Sequence, residues 1–188
     1  MSINREQWLQ NAILELSPVF AGHGFPLPAD KIRVTCGFGS HGSRGGKRIG
    51  EHWNPAASSD GHHEILISPT LDDSSRVLDV LTHELCHAAT LGDGHGKRFG
   101  RIARLMKLEG KLTATTGGDA FKADMANILQ GLGDYPHAKL NLSDRKKQGT
   151  RLLKAVCPCC GYTVRLTAKW AAFGLPICPV DRIEMEAK

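Results

Sequence analysis

Thr82-His83-Glu84-Leu85-Cys86-His87-Ala88-Ala89 is the stretch around which the rest of the chain can be arranged. It contains His-Glu-x-x-His. On an α-helix His83 and His87 lie one turn apart on one face, so both imidazoles can reach a single metal ion. Glu84 is not needed as a ligand. It can reach a water on that ion and take its proton. Gly94-His95-Gly96 supplies a third histidine. Three protein ligands plus a water is the pattern of a catalytic zinc site rather than a closed structural one.

Working outward, Asp72, Asp73 and Ser74 offer caps for the helix that carries this motif. Val77, Leu81, Leu85 and Ala88 form its apolar stripe, and Gly92-Asp93-Gly94 ends it after about Leu91. His83, Glu84 and His87 fall on an adjacent face, so one side can pack while the other borders a cleft. The pattern predicts a second helix from Gly96 to Glu109 with Gly110 as its stop, and a third over Asp119 to Leu132.

Upstream, residues 4–20 read as an amphipathic helix that Asn4 and Gln7 can cap. Lys31 to Phe38 and His62 to Ser68 alternate as half-buried strands, and a further strand is expected near Ile49 to Trp53. Gly37, Gly39 and Gly42 formally match a dinucleotide fingerprint, but no helix pattern opens there, so the segment reads as a loop. Arg44, Lys47 and Arg48 in that loop read as solvated. His62 and His63 read as surface histidines, with support of a metal ligand as the alternative. The partner for a developing oxyanion cannot be singled out from the sequence. The fold class is α+β: an N-terminal helix, a small three-stranded sheet, the motif helix and the helices after it.

The chain has 188 residues, and no apolar run approaches a membrane span. The polar N-terminus lacks the order of a signal peptide, so the expected location is the cytoplasm. Charge divides unevenly. Residues 1–138 carry 14 Lys/Arg and 15 Asp/Glu, a net of −1, whereas residues 139–188 carry 10 and 4, a net of +6. The basic character is therefore assigned to the C-terminal part, where a polyanion could be held. Arg145, Lys146, Lys147, Arg151 and Lys154 are the candidate nucleic-acid contacts, with a solvated linker as the alternative.

Four of the six cysteines lie late in the chain. Cys157 and Cys160 form C-x-x-C followed by Gly161, and Cys178 begins a second knuckle whose fourth position holds Asp181. Clustered cysteines in a reducing compartment suggest metal before disulfide. Cys157, Cys160, Cys178 and Asp181 are thus candidate ligands of a second, structural zinc, with Cys159 and Glu184 as spare donors. Cys36 and Cys86 read as buried small hydrophobes.

His83-Glu84-Leu85-Cys86-His87-Ala88-Ala89, Gly94-His95-Gly96 with Phe99, and the late cysteine knuckle together resemble the SprT-like (Spartan-type) metallopeptidases. The resemblance covers roughly residues 5–187. It implies a zincin-like metallopeptidase core over residues 1–138, a basic linker over 139–154 and a zinc-ribbon-like β module over 155–188. It implies that His83, His87 and His95 bind a catalytic zinc and that Glu84 is the general base. It also implies cleavage of DNA-bound or DNA-crosslinked protein, with DNA as a partner, no membrane, and a nucleoid or nuclear setting. Two features depart from the family: the short turn between His87 and His95, and Asp181 in place of a fourth cysteine. The rival expectation is a DNA-binding zinc protein with an inactive protease core.

Overall fold

The computed structural model describes residues 3–40, 48–143 and 152–188. They divide into two compact units, one ending at Leu142 and one beginning at Ser143. Arg44, Lys47, Arg145, Lys146, Lys147 and Arg151 lie outside the described residues.

The first unit opens with α1 (Arg5–Gly22). Its capping box is closed: Gln7 N–H donates to Asn4 Oδ1 at 2.8 Å, and Asn4 N–H donates to Gln7 Oε1 at 2.9 Å. Pro18 does not stop the helix. The carbonyl it leaves unbonded belongs to Leu14, on the solvent side, where water can serve it. Trp8, Leu9, Ala12, Ile13, Leu16 and Phe20 form the buried stripe.

Strands β1 (Ile32–Cys36), β2 (Gly50–Trp53) and β3 (His63–Ile67) form a sheet in the order β1-β3-β2. β1 runs parallel to β3, and β2 lies antiparallel at the edge. The period-2 alternation decides the faces. Ile32, Val34 and Cys36 of β1 and His63, Ile65 and Ile67 of β3 are buried, and their neighbours are more exposed.

Helix α2 (Ser74–Ala89) starts at Asp73, whose carboxylate accepts from Arg76 N–H at 2.7 Å. Val77, Leu78, Leu81, Leu85, Cys86 and Ala88 bury its packed side. After the turn comes α3 (Lys97–Leu105). The helix expected to run on to Glu109 stops four residues earlier. Lys107 takes a left-handed φ of 59°, and Leu108–Lys111 pairs with Ala114–Gly117 as an antiparallel hairpin, β4 and β5. Gly110, expected as a helix stop, lies inside β4. The run Thr113-Ala114-Thr115-Thr116 favours extended backbone through its β-branched residues, and that local preference wins. α4 (Asp119–Leu132) spans the expected range. No helix among the described residues is long and apolar enough to cross a membrane.

The second unit pairs β6 (Leu153–Val156) with both β7 (Thr163–Leu166) and β8 (Glu186–Ala187), all antiparallel, with a one-turn helix α5 (Ala168–Ala171) between β7 and β8. Its core is small: Ala155, Cys157, Cys178 and Met185.

Candidate metal centre

The i, i+4 spacing on α2 sets the His83 and His87 rings 5.2 Å apart between centroids. His95, in the turn before α3, comes within 5.5 Å of His83 and 4.7 Å of His87. One ring nitrogen from each lies within 4.8 Å of the others, so the three could hold one metal ion. The fully buried Phe99 ring backs all three, at 5.1, 4.4 and 4.9 Å. The His95 turn is pinned by Asp93, whose Oδ2 accepts from Phe99 N–H at 2.9 Å. A Cβ at Gly96 would meet Asp93 Oδ1 at 2.7 Å, so the turn closes only around glycine.

Burial lowers the basicity of every ring in the cluster. His83 falls to about 3 and His87 to about 4, chiefly by desolvation and then by their histidine neighbours. His95 is lowered by burial alone. The rings are neutral near pH 7 and keep a lone pair free, which suits a borderline-soft cation such as zinc. Glu84 is 6% exposed. Burial pushes its carboxyl up to about 8; Glu51 adds to the rise and Arg48 opposes it.

The sheet and the hairpin complete the walls of a cleft of about 860 Å³ bordered by His83, Glu84, His87 and His95. Gly50 on β2 permits the close approach to α2: a Cβ there would stand 2.4 Å from Glu84 Oε1 and 2.7 Å from Val80 Cγ1. Two positions on, His52 lies parallel to His87 with centroids 6.0 Å apart. His52 Nε2 is 2.8 Å from His63 Nδ1. Glu51, between Gly50 and His52 in sequence, accepts from Ser40 N–H at 2.6 Å and from Arg48 at 2.5 Å, tying Ser40, four residues past β1, to β2.

From the hairpin, Thr115 Oγ1 sits 2.8 Å from His83 Nδ1. Thr115 is held by a second link, since Gly117 N–H donates to Asp79 Oδ2 at 3.0 Å and Arg76 donates to Asp79 Oδ1 at 2.6 Å. Asp79 and His83 are four apart on a helix, about 6 Å of rise; Thr115 and Gly117 are two apart on a strand, nearly the same length. The two spacings match, and the helix clips the strand twice.

Sequence reading overlooked Gly50, His52, Glu51, Asp79 and Thr115. Gly50 and His52 had a signal: they share one face of a strand and alternate with Glu51. Thr115 has none, because the helical pattern of the preceding residues runs up to its segment and masks the strand. His63 supports the site through His52, whereas His62 lies 3.1 Å from Asp60 in a surface cluster with Arg33 and Glu64. Cys36 and Cys86 are buried.

In the second unit Cys157, Cys160, Cys178 and Asp181 bring their ligand atoms within 4.8 Å of one another. Asp181 Oδ2 is 3.1 Å from Cys157 Sγ, and Cys160 Sγ is 3.6 Å from Cys178 Sγ. The two knuckles repeat one backbone pattern. Gly161 N–H donates to Cys157 O and Cys157 N–H to Tyr162 O; likewise Arg182 N–H donates to Cys178 O and Cys178 N–H to Ile183 O. Gly161 and Arg182 occupy the same left-handed position, at φ 75° and 59°. Asp181 therefore stands where Cys160 stands in the first knuckle. Three sulfurs and one carboxylate are donors zinc accepts. Cys159 and Glu184 lie outside the cluster.

The family model described as the SprT-like family matches residues 22–130, from the end of α1 into α4. No curated protein and no solved structure matched the chain. That span covers more than half of the sequence and contains the three histidines, Glu84, the sheet and the hairpin, and on this ground the chain belongs to the SprT-like family.

Proposed function

We propose that this chain is a zinc-dependent endopeptidase that hydrolyses peptide bonds of DNA-bound or DNA-crosslinked proteins. The observation that carries the reading is the neutral histidine triad with a buried carboxylate next to it on the same helix, both open to one cleft. The family, of the zinc-metalloprotease type, supports it. His83, His87 and His95 would hold the catalytic zinc. That ion supplies Lewis acidity: it lowers the pKa of a water, polarises a carbonyl and, as a dication, favours the ionised form of Glu84.

The chain's own residues do the rest. Glu84 accepts the proton of the attacking water and returns it to the leaving amine. Gly50 leaves room for that carboxylate at the wall of the cleft. Thr115 Oγ1 lies 2.8 Å from His83 Nδ1 and fixes the ring; with Nε2 on the metal, Nδ1–H is the donor and Thr115 the acceptor. The second unit serves as a zinc-ribbon-like module, with Cys157, Cys160, Cys178 and Asp181 on a structural zinc. Its charge, together with the exposed Trp170 and Phe173 and the Lys169 ammonium 5.2 Å above the Trp170 ring, suits stacking and phosphate contact with a nucleic acid. Arg145, Lys146, Lys147, Arg151 and Lys154 are assigned to the same contact.

The test is Glu84→Gln in the full chain. Metal content should be unchanged, and cleavage of a DNA-bound protein should fall by about 10²–10⁴-fold. Wild-type rates in the Gln variant would refute the assigned base. The competing reading, a DNA-binding module with an inactive core, requires tight, salt-sensitive DNA binding with no metal-dependent cleavage.

A further inference from the structure

We propose that the core carries its own nucleic-acid surface: the exposed face of α3 and the start of the hairpin, which takes the phosphate backbone of duplex DNA. This rests on the nucleic-acid part of the proposed function but not on the C-terminal tail. The near-zero net charge of residues 1–138 hides a segregation. Residues 95–111 carry six cations, Lys97, Arg98, Arg101, Arg104, Lys107 and Lys111, against one acid, Glu109, a net of +5. The remainder of residues 1–138 is then −6.

The fold gathers the four helical cations of this run on one side of α3. At about 100° per residue, Lys97, Arg101 and Arg104 fall within an arc of about 60°, with Arg98 on its shoulder. Phe99, Gly100, Ile102 and Ala103 fill the opposite arc and are buried. All six cations are exposed. Among the described residues none of them pairs with a carboxylate. Arg101 lies over the Phe25 ring at 6.0 Å, and Arg104 donates to Gly100 O at 3.1 Å.

Local stability does not explain Lys97 and Arg98. Both sit in the first turn of α3, where no acidic residue is present and the helix dipole disfavours cations. The same cations suit an anion brought to that end of the helix. The partner's charge density selects its class. Four cations over about 10 Å of helix face a duplex that carries one charge per ~1.7 Å. A membrane surface fits less well, because α3 has no exposed apolar residue to insert and its apolar side chains are committed to the core. The face begins two residues after His95, so backbone held here would bring a DNA-associated protein to the rim of the cleft.

The experiment uses the full chain carrying Glu84→Gln, so that cleavage does not interfere, and a short DNA duplex titrated between about 50 and 200 mM salt. Lys97→Gln/Arg101→Gln/Arg104→Gln should lower the slope of log Kd against log salt by about 2.7, that is, about 0.9 per lost contact. Lys97→Gln/Arg98→Gln, which disturbs no described side-chain partner, should lower it by about 1.8. With Glu84 restored, both variants should hydrolyse a free peptide at the parental rate. An unchanged slope in a chain that binds DNA overturns this surface and leaves the proposed function standing. A parental chain that does not bind DNA overturns both. Lost binding to phosphatidylserine vesicles with unchanged DNA binding overturns the assignment to nucleic acid. A parallel fall in peptide hydrolysis overturns it in favour of a structural role.

Discussion

The two candidate metal sites are built in opposite ways. The histidine site is assembled at long range: α2 supplies two donors, the following turn a third, the hairpin a brace through Thr115, and the sheet a wall through Gly50 and His52. It offers three donors and opens on a cleft. The cysteine site is made of two local knuckles, offers four donors, and sits in a unit in which four of the described residues form the buried apolar cluster. An open site needs a rigid frame that exists without the ion; a closed one can let the ion be the frame. The first unit has that frame, a core running from Trp8 to Tyr135. The second does not.

Chelation should break this comparison open most visibly. Removing metal from the loaded protein should unfold the second unit, where a structural zinc contributes on the order of 10 kcal/mol, and leave the first unit folded. Limited proteolysis read by mass spectrometry would show cuts confined to residues beyond 143. Protection of both units after chelation would contradict the contrast.

Thr115 tests the histidine site from its brace. Thr115→Val keeps the shape and removes the acceptor, so zinc affinity measured by chelator competition should weaken about 10–100-fold. Thr115→Ser should restore most of it. Next in size, Gly50→Ala places a methyl group against Glu84 and Val80 and should destabilise the first unit by about 1–3 kcal/mol in denaturant titration, without altering the second.

The smallest effect concerns pH. Burial alone would raise the Glu51 carboxyl, but Ser40 and Arg48 outweigh burial and hold it below its ordinary value. A depressed native pKa means that the ionised form is favoured on folding. The stability it contributes is present above the unfolded value of 4.5 and is lost as pH falls through the lower native value. Glu51→Gln should therefore lower stability by on the order of 1 kcal/mol at neutral pH, with the difference shrinking in acid. A gap between the two proteins that widened in acid would reverse the sign.

The sequence made α1, β1, β3, α2 and α4 legible, since each is announced by a period or a cap. The end of α3 is hidden in the sequence, because Phe99, Ile102 and Met106 keep helical spacing up to the point where the backbone turns and Gly110 offers a plausible stop beyond it. Lys107 in a left-handed conformation and the threonines beyond it decide the matter. The same pattern conceals the hairpin, and with it Thr115.

Taken alone, the sequence determined the parts of each candidate site whose residues are neighbours on one element: His83, Glu84 and His87 at helical spacing, and the two knuckles with Asp181 at the fourth position. These depend on covalent distance and backbone period, which sequence states directly. Tertiary structure alone decided that Gly50 faces Glu84, that His63 reaches the site through His52, that Asp79 and Thr115 clip α2 to β5, and that a nearly neutral core bears a cationic face. Each joins residues 11 to 38 positions apart or sorts charges by direction around a helix. Only packing fixes such relations, because a side chain's partner across a fold is set by which faces the core draws together.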